Sequence, residues 1–252
     1  MKKVFSFSSI LLGALSILAV SCTKTDQSVN LSKKDYSLGE SFDSVSVAVA
    51  KGWQIKNNSK PIGTMAWIQS YYYVSLYHGY TPGKTGGPQN YANAGGLTGN
   101  TPGYSGADFI MTTSEAGNGV ADISNWLISP ELMVKNGDRI SFYTRTFANP
   151  AIGADRLEVR INELNSSADV GREATSVGGF TNVVLDINPD YLLEGDDSYP
   201  GEWTQYTATI SGLTGNTARK TRIAFRYFVP AGGPLGENSV GIGLDEFIFT
   251  SL

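Results

Sequence analysis

The second half of the chain contains several short stretches in which apolar and polar residues alternate strictly. In RLEVRIN, Leu157, Val159 and Ile161 face one way, and the charged or polar residues between them face the other. A period of two residues is typical of β-strands with one buried and one solvent-facing side. The same alternation recurs in three further stretches, RISFYTR (139–145), WTQYTATI (203–210) and RIAFRYF (222–228).

These strands predict the fold class. Half-buried strands pair into antiparallel sheets, and two such sheets stack so that each covers the apolar face of the other. In the third stretch, Tyr206, Ala208 and Ile210 share one side of the strand. No segment of helical period competes for the intervening space. The sequence therefore predicts an all-β protein, a two-layer antiparallel β-sandwich of jelly-roll type.

The last apolar stretch, VGIGLDEFIFT (240–250), interrupts this alternation. Ile242 and Leu244 follow the period of two, and then Asp245 and Glu246 intervene before three apolar residues. Burial of an unpaired carboxylate is costly, so the two acids need a reason. Two interpretations stay open: a β-bulge that turns both acids to solvent, or a cation bound by Asp245.

The N-terminus has the layout of a secretory signal. A short basic start, MKK, precedes a mostly apolar stretch (4–20), and Cys22, the only cysteine of the chain, follows small residues. Bacterial lipoproteins carry their acylated cysteine at this place, and more than one hydrocarbon chain gives stable membrane attachment. We expect residues 1–21 to be a lipoprotein signal peptide and Cys22 to be lipidated. The alternative is an ordinary secreted protein with a stray cysteine in its signal.

The remaining chain divides into a tether and one domain. Residues 22–37 are polar and lack apolar periodicity, which indicates a flexible tether. Lys24 and Asp26 resemble the charged signals that send Bacteroidetes-type lipoproteins to the outer leaflet, so we expect a lipid anchor in the outer membrane with exposure at the cell surface. Residues 38–252 are predicted to form a single sandwich domain. Its segment 79–106 is rich in Gly, Pro and Asn and is predicted to be a long surface loop.

Charge and motifs narrow the function classes. Removal of Lys2 and Lys3 with the signal lowers the basic count from 19 to 17 against 23 acids, so the net charge is near −6 and nucleic acid is not an expected partner. His78 is the only histidine, and the sequence has no nucleophile-elbow, zinc-binding or phosphate-binding motif. The prediction is therefore a non-enzyme. A glycosidase needs only two carboxylates, and the acidic stretch 192–202, interpreted as a solvated loop, contains several.

An ordered set of phrases resembles a known family of bacterial surface domains. They are GESFDSVSVAVAKGWQIKN (39–57), SNWLISPELMVKNGDRISFYTR (124–145), KTRIAFRYF (220–228) and GIGLDEFIFT (241–250). Their order resembles the choice-of-anchor J domain, which is close to cleaved-adhesin domains and distantly similar to MAM domains. The resemblance implies a jelly-roll sandwich of galactose-binding-like or concanavalin-like architecture. It also implies a role in adhesion or ligand binding rather than catalysis.

The same resemblance implies a structural calcium ion. Related sandwiches often hold calcium where the first and last strands meet. Carried over by position, the implied ligands are Asp43 and Asp245, with Glu40 three residues before Asp43. Calcium takes six to eight oxygen ligands, many of them backbone carbonyls, so two or three carboxylates suffice. The alternative is that Asp43 caps a turn and that Asp245 is solvated.

The candidate ligand-binding residues are tyrosines. In SYYYVSLYHGY (70–80), Tyr71, Tyr73 and Tyr77 would share one face of a strand, and the glycine-rich loop carries Tyr91 and Tyr104. A tyrosine combines an apolar ring with a hydroxyl, which suits stacking on a sugar or contact with a protein partner. The alternative for the 70–80 patch is a place in the core.

These observations favour a binding protein. We predict a lipid-anchored module of the cell envelope that recognises a glycan or serves as an accessory of polysaccharide capture. A protein-binding adhesin or structural surface component is the alternative, and a glycoside hydrolase is a third hypothesis.

Overall fold

A computed structural model describes residues 35–69, 109–146, 153–201 and 203–252. Asp35–Leu252 form one compact unit. Within the described residues, no helix is long and apolar enough to span a membrane. The elements are β1 (Leu38–Glu40), α1 (Val45–Ala50), β2 (Gln54–Asn57), β3 (Lys60–Ile62), β4 (Ile68–Gln69), β5 (Ile110–Thr113), a 3-10 turn (Ser114–Ala116), β6 (Gly117–Ile128), β7 (Leu132–Val134), β8 (Arg139–Thr146), β9 (Leu157–Ile161), β10 (Asn182–Ile187), β11 (Thr204–Thr209), β12 (Arg219–Thr221), β13 (Ile223–Gly232) and β14 (Gly241–Thr250).

The strands form two large antiparallel sheets. The first sheet has the order β11–β8–β14–β5–β4, with β1 also paired to β14, and the second has the order β10–β9–β13–β6–β2, with β3 also paired to β6. A small third sheet joins β12 to β7. Consecutive strands pass repeatedly from one large sheet to the other, as in a jelly roll. The predicted all-β antiparallel sandwich is thus confirmed.

The core lies between the two large sheets. The alternating apolar residues of β8, β9 and β13 are buried, as the sequence pattern predicted. Phe225 of β13 meets Phe142 of β8 at a ring-centroid distance of 5.0 Å and Phe247 of β14 at 5.5 Å, both edge to face. Aromatic pairs of this geometry add attraction beyond the apolar area that they bury. These contacts connect the two layers.

The irregularity in the last strand is a β-bulge. Asp245 pairs with Tyr143 and Ile248 pairs with Ser141, so β14 has one more residue than β8 across this interval. Glu246 supplies the extra residue and has a positive φ of 48°. The bulge interpretation is therefore correct, but only in part, because Asp245 is buried and Glu246 is half-buried rather than both facing water.

The outer face of the second sheet differs from the simple pattern. Alternation predicted that Glu158 faces solvent, yet its side chain is buried. The connection 163–181 between β9 and β10 covers this face, and its Val170 and Phe180 pack in one apolar cluster with Trp126 and Ala224. A sheet that is buried on both faces cannot be recognised from a period of two alone.

A charged network fastens the covering connection. Glu158 accepts hydrogen bonds from Arg160 at 2.8 Å and from Arg226 at 2.9 Å, and Arg156 donates at 3.2 Å. Arg226 also donates to the carbonyl oxygen of Ala174 in the connection. Burial raises the pKa of Glu158, but the hydrogen bonds and charges of Arg160 and Arg226 outweigh it and hold the pKa below its ordinary value. The carboxylate is therefore ionised, and it organises three guanidinium groups.

Replacement of Glu158 by alanine tests this network. The buried guanidinium of Arg226 would lose its carboxylate, so we expect the free energy of unfolding to fall by about 3–5 kcal/mol. Glu131→Ala is the matched control, because Glu131 pairs with Lys220 near the surface, and it should destabilise the fold much less than Glu158→Ala. Urea unfolding of both variants measures the difference. Equal losses would contradict the network's structural role.

Candidate functional site

Part of the predicted site lies outside the described residues. This holds for Cys22 and for the five tyrosines predicted to bind ligand, Tyr71, Tyr73, Tyr77, Tyr91 and Tyr104. Their roles stay predictions.

The three predicted calcium ligands lie at or near the β1–β14 pairing. Glu40 ends β1 and is buried, and its carboxylate forms an ion pair with Lys51 at 3.1 Å. Asp43 is exposed after β1 and accepts a hydrogen bond from Ser41 Oγ at 2.8 Å. Asp245 is buried in the bulge and accepts the backbone N–H of Glu246 at 2.9 Å. Lys51 therefore already neutralises one of the three carboxylates.

Asp43 and Glu246, which is the neighbour of Asp245 in the bulge, repel each other. Burial raises the pKa of Glu246, and the negative charge of Asp43 raises it further. Within the described ranges, no group of three histidine, cysteine, aspartate or glutamate side chains is arranged to hold a metal ion. The calcium ion implied by the resemblance thus stays a prediction.

A cleft of about 300 Å³ lies where the edge strands of the two large sheets come together. β10 is the edge of the second sheet and β11 is the edge of the first, so this side of the sandwich is open. One wall comes from the end of β10 and the loop after it, and the other comes from Tyr206 of β11. The acidic lining residues are Asp186, Asp190, Asp196 and Asp197.

The loop 188–199, which we call the cleft loop, owes its shape to Asn188. This residue is buried and has a positive φ of 58°, a conformation that asparagine tolerates better than most residues. Its side-chain amide donates to the carbonyl oxygen of Leu192 at 3.0 Å, and its Oδ1 accepts the N–H of Leu192 at 2.7 Å. Gly195, with φ of 101°, allows a second turn, in which Ser198 donates to the Gly195 carbonyl from both its N–H and its hydroxyl.

The charged residues that line the cleft are all acidic. Asp186 is neutralised by a bidentate pair with Arg156, at 2.8 Å and 2.6 Å. No lysine or arginine among the described residues forms an ion pair with Asp190, Asp196 or Asp197. The cleft therefore presents exposed carboxylates that can accept hydrogen bonds.

Tyr206 supplies the aromatic surface. Its ring is half-buried and stacks on Phe142, with 6.0 Å between centroids and 19° between planes. This contact restricts the ring, and Tyr206 also lines the cleft. Burial raises the pKa of Tyr206, so its hydroxyl stays protonated near neutral pH. A ring that is held in place loses little entropy when a ligand stacks on it.

Sequence reasoning did not identify this site. The period of two correctly placed Tyr206 with Ala208 and Ile210, but the ring lies at the open edge, where the core gives way to the cleft. The acidic stretch after β10 was interpreted as a solvated loop. One sequence signal points to the cleft. The stretch NPDYLLEGDDSYP (188–200) is rich in turn formers and acids, and it comes shortly before a strand that carries a tyrosine.

No family model and no curated protein matches the chain. Among solved structures, the K1 cleaved adhesin domain of Lys-gingipain from Porphyromonas gingivalis is 20% identical, with 86% of this chain and 98% of that chain covered and a TM-score of 0.44. TmCBM61 in complex with beta-1,4-galactotriose is 12% identical, with coverages of 87% and 100% and a TM-score of 0.40. The family 11 carbohydrate-binding module from Clostridium thermocellum, in complex with a mixed-linked tetrasaccharide, is 12% identical, with coverages of 85% and 94% and a TM-score of 0.36.

The calcium prediction can be tested by chelation. A cation bound by Asp43 and Asp245, with Glu40 nearby, would also offset the repulsion between Asp43 and Glu246, so EDTA should lower the melting temperature and added calcium should restore it. Asp43→Asn should weaken this response. A melting temperature that is the same in EDTA and in calcium would contradict the prediction.

Proposed function

We propose that this protein is a lipid-anchored binding module of the cell envelope and that the cleft beside Tyr206 recognises a glycan. The observation that carries the proposal is the combination of a fixed aromatic ring with exposed carboxylates in one cleft. Sugars offer apolar C–H faces that pack on aromatic rings, and hydroxyls that donate hydrogen bonds to carboxylates. Asp196 and Asp197 provide such acceptors in the cleft that Tyr206 also lines.

The charge of the cleft narrows the glycan class. Asp190, Asp196 and Asp197 are exposed, and the whole chain is acidic, with a formal net charge of −4. Like charges that face each other weaken association. We therefore propose neutral glycans, or glycans that carry amino groups, as ligands rather than uronates or sulfated chains.

The proposed location rests on the N-terminal pattern. The layout MKK, apolar stretch, small residues and Cys22 supports a lipid anchor in the outer membrane, and the charged residues that follow support exposure at the cell surface. A module tethered in this way would capture glycans from the surroundings. The tyrosines at 71, 73, 77, 91 and 104 remain proposed additions to the same binding function.

Glycan binding by purified protein tests the cleft. On an array of neutral, amino and acidic glycans, we expect binding to neutral or amino sugars, and Tyr206→Ala should weaken it about tenfold, or ~1.4 kcal/mol. Asp196→Asn combined with Asp197→Asn should also weaken binding without a change in melting temperature, because both side chains are exposed. Thr207→Ala, at an exposed neighbouring position, is the control.

The outcomes separate the alternatives. Strong binding that none of the cleft variants affects would remove the cleft from the proposal. No binding to any glycan would favour a protein-binding adhesin, and turnover of a glycoside would favour a hydrolase.

The lipid anchor has its own test. In cells grown with labelled palmitate, the wild-type protein should carry the label and sediment with membranes. Cys22→Ser removes the only thiol of the chain and should abolish both properties. A membrane-bound, unlabelled wild-type protein would contradict lipidation.

A further inference from the structure

Both ends of the cleft loop rest on the same buried polar cluster. At the first end, the side-chain amide of Asn188 donates to the backbone carbonyl oxygen of Asp155 at 2.9 Å. At the second end, the hydroxyls of Tyr199 and Thr144 are 2.6 Å apart, and the N–H of Thr146 donates to the carbonyl of the residue after Tyr199 at 2.8 Å. Thr146 and Asp155 are in turn joined, since Thr146 Oγ1 donates to Asp155 Oδ2 at 2.6 Å.

Asp155 is the only ionisable carboxylate in this cluster among the described residues. It is 1% exposed and lies two residues before β9. Its Oδ1 accepts three hydrogen bonds, from Tyr227 Oη at 2.5 Å, Val240 N at 2.9 Å and Gly241 N at 3.1 Å. Hydrogen bonds to a charged acceptor are stronger than hydrogen bonds to a neutral one. The negative charge of Asp155 therefore strengthens the bonds that tie the segment before β9 to Tyr227 of β13 and to the start of β14.

We propose that Asp155 is a positioning residue of the cleft and that the charge of its carboxylate keeps the cleft loop in order. This inference rests on the proposed function only for the statement that the cleft binds a glycan. When the carboxylate takes up a proton, its hold on Tyr227, Val240 and Gly241 weakens. The segment before β9, whose Asp155 carbonyl binds Asn188, is then held less tightly. Acidification thereby reduces the order of the wall that faces Tyr206.

The buried surroundings of Asp155 allow its carboxylate to take up a proton at mildly acid pH. Burial raises the pKa of Asp155 to about 6, although the hydrogen bonds from Thr146 and Tyr227 work in the opposite direction. The titratable groups that face it are the phenols of Tyr227 and Tyr199, and burial raises the pKa of both well above the usual value, so they stay protonated.

Nearby cations do not compensate the Asp155 carboxylate. The guanidinium of the adjacent residue, Arg156, pairs with Asp186. Arg145, which precedes Thr146, donates to the carbonyl oxygen of Gly201. No lysine or arginine of the described ranges forms an ion pair with Asp155. The carboxyl therefore titrates within a cluster of neutral groups.

Global stability and loop order should change in opposite directions. The pKa of Asp155 is higher in the folded protein than the ordinary value of 3.8, so the folded state binds this proton more tightly. The stability contributed by the protonated form is complete below about pH 4 and is lost as the pH rises through about 6. Acidification from pH 7.5 to 5 should thus raise the contribution of Asp155 to global stability and, at the same time, loosen the cleft loop. General acid unfolding would lower both global stability and loop order, so it cannot produce this result.

Amide hydrogen exchange of the full chain tests the proposal without a ligand. The reporter is the N–H of Leu192, which donates to Asn188 Oδ1. After correction for intrinsic exchange, we expect its protection to fall about tenfold between pH 7.5 and 5, with a midpoint near 6. Asp155→Asn should show the low protection at both pH values and no midpoint. The asparagine fits, because its amide can donate to Thr146 Oγ1, which already lies 3.1 Å from the carbonyl of Gly241.

Asp138→Asn is the matched control. Asp138 is also buried and also accepts two backbone N–H groups, from Lys135 and Leu252 at 2.9 Å each, and neither partner belongs to the cleft loop. This variant should keep the midpoint of Leu192. A flat protection profile in the wild type, or wild-type protection at pH 7.5 in Asp155→Asn, would overturn the proposal. Since no glycan is used, failure of glycan binding would leave this result unaffected.

Discussion

A carboxylate can be buried only if hydrogen-bond donors or cations surround it. In this protein, the donors and cations around two buried carboxylates hold two irregular segments, the connection 163–181 and the cleft loop. Glu158 collects three arginines on the outer face of the second sheet, and Arg226 extends the network to the connection that covers that face. Asp155 collects donors from three strands or their ends, and its backbone carries one end of the cleft loop. Segments without strand pairing are thereby fixed by two buried acids.

The two acids differ in the groups that compensate their charge. Guanidinium groups surround Glu158, so its charge is matched by opposite charge and its pKa lies below the ordinary value. Hydroxyl and backbone N–H groups surround Asp155, and these dipoles offset only part of the cost of burial, so its pKa is raised to about 6. The first arrangement is permanent under physiological conditions, whereas the second can change with mild acidification. This contrast explains why the covering connection is a structural feature and why the cleft loop can be a responsive one.

The position of the cleft follows from the topology of the sandwich. Two stacked open sheets leave their edge strands without neighbours, and here β10 and β11 come together on one side. A ring at such an edge can rest on the core and still face outward, as Tyr206 does on Phe142. The loop after β10 then closes the space from the other side with acidic residues. An edge of the fold thus becomes a recessed surface with one aromatic and one polar wall.

The sequence by itself determined the sandwich, because a period of two in β8, β9, β11 and β13 reports which side chains avoid water, and it also located the irregularity at Asp245 and Glu246. It did not reveal that Glu158 and Asp155 are buried or that the cleft exists. Those features depend on where the connections 163–181 and 188–199 lie, and neither segment has a periodic pattern. Their positions are set by contacts between residues far apart along the chain, such as Arg226 with Ala174 and Asn188 with Asp155. Local sequence encodes which face of a strand is apolar, whereas only the assembled tertiary structure decides which polar side chains lose their water.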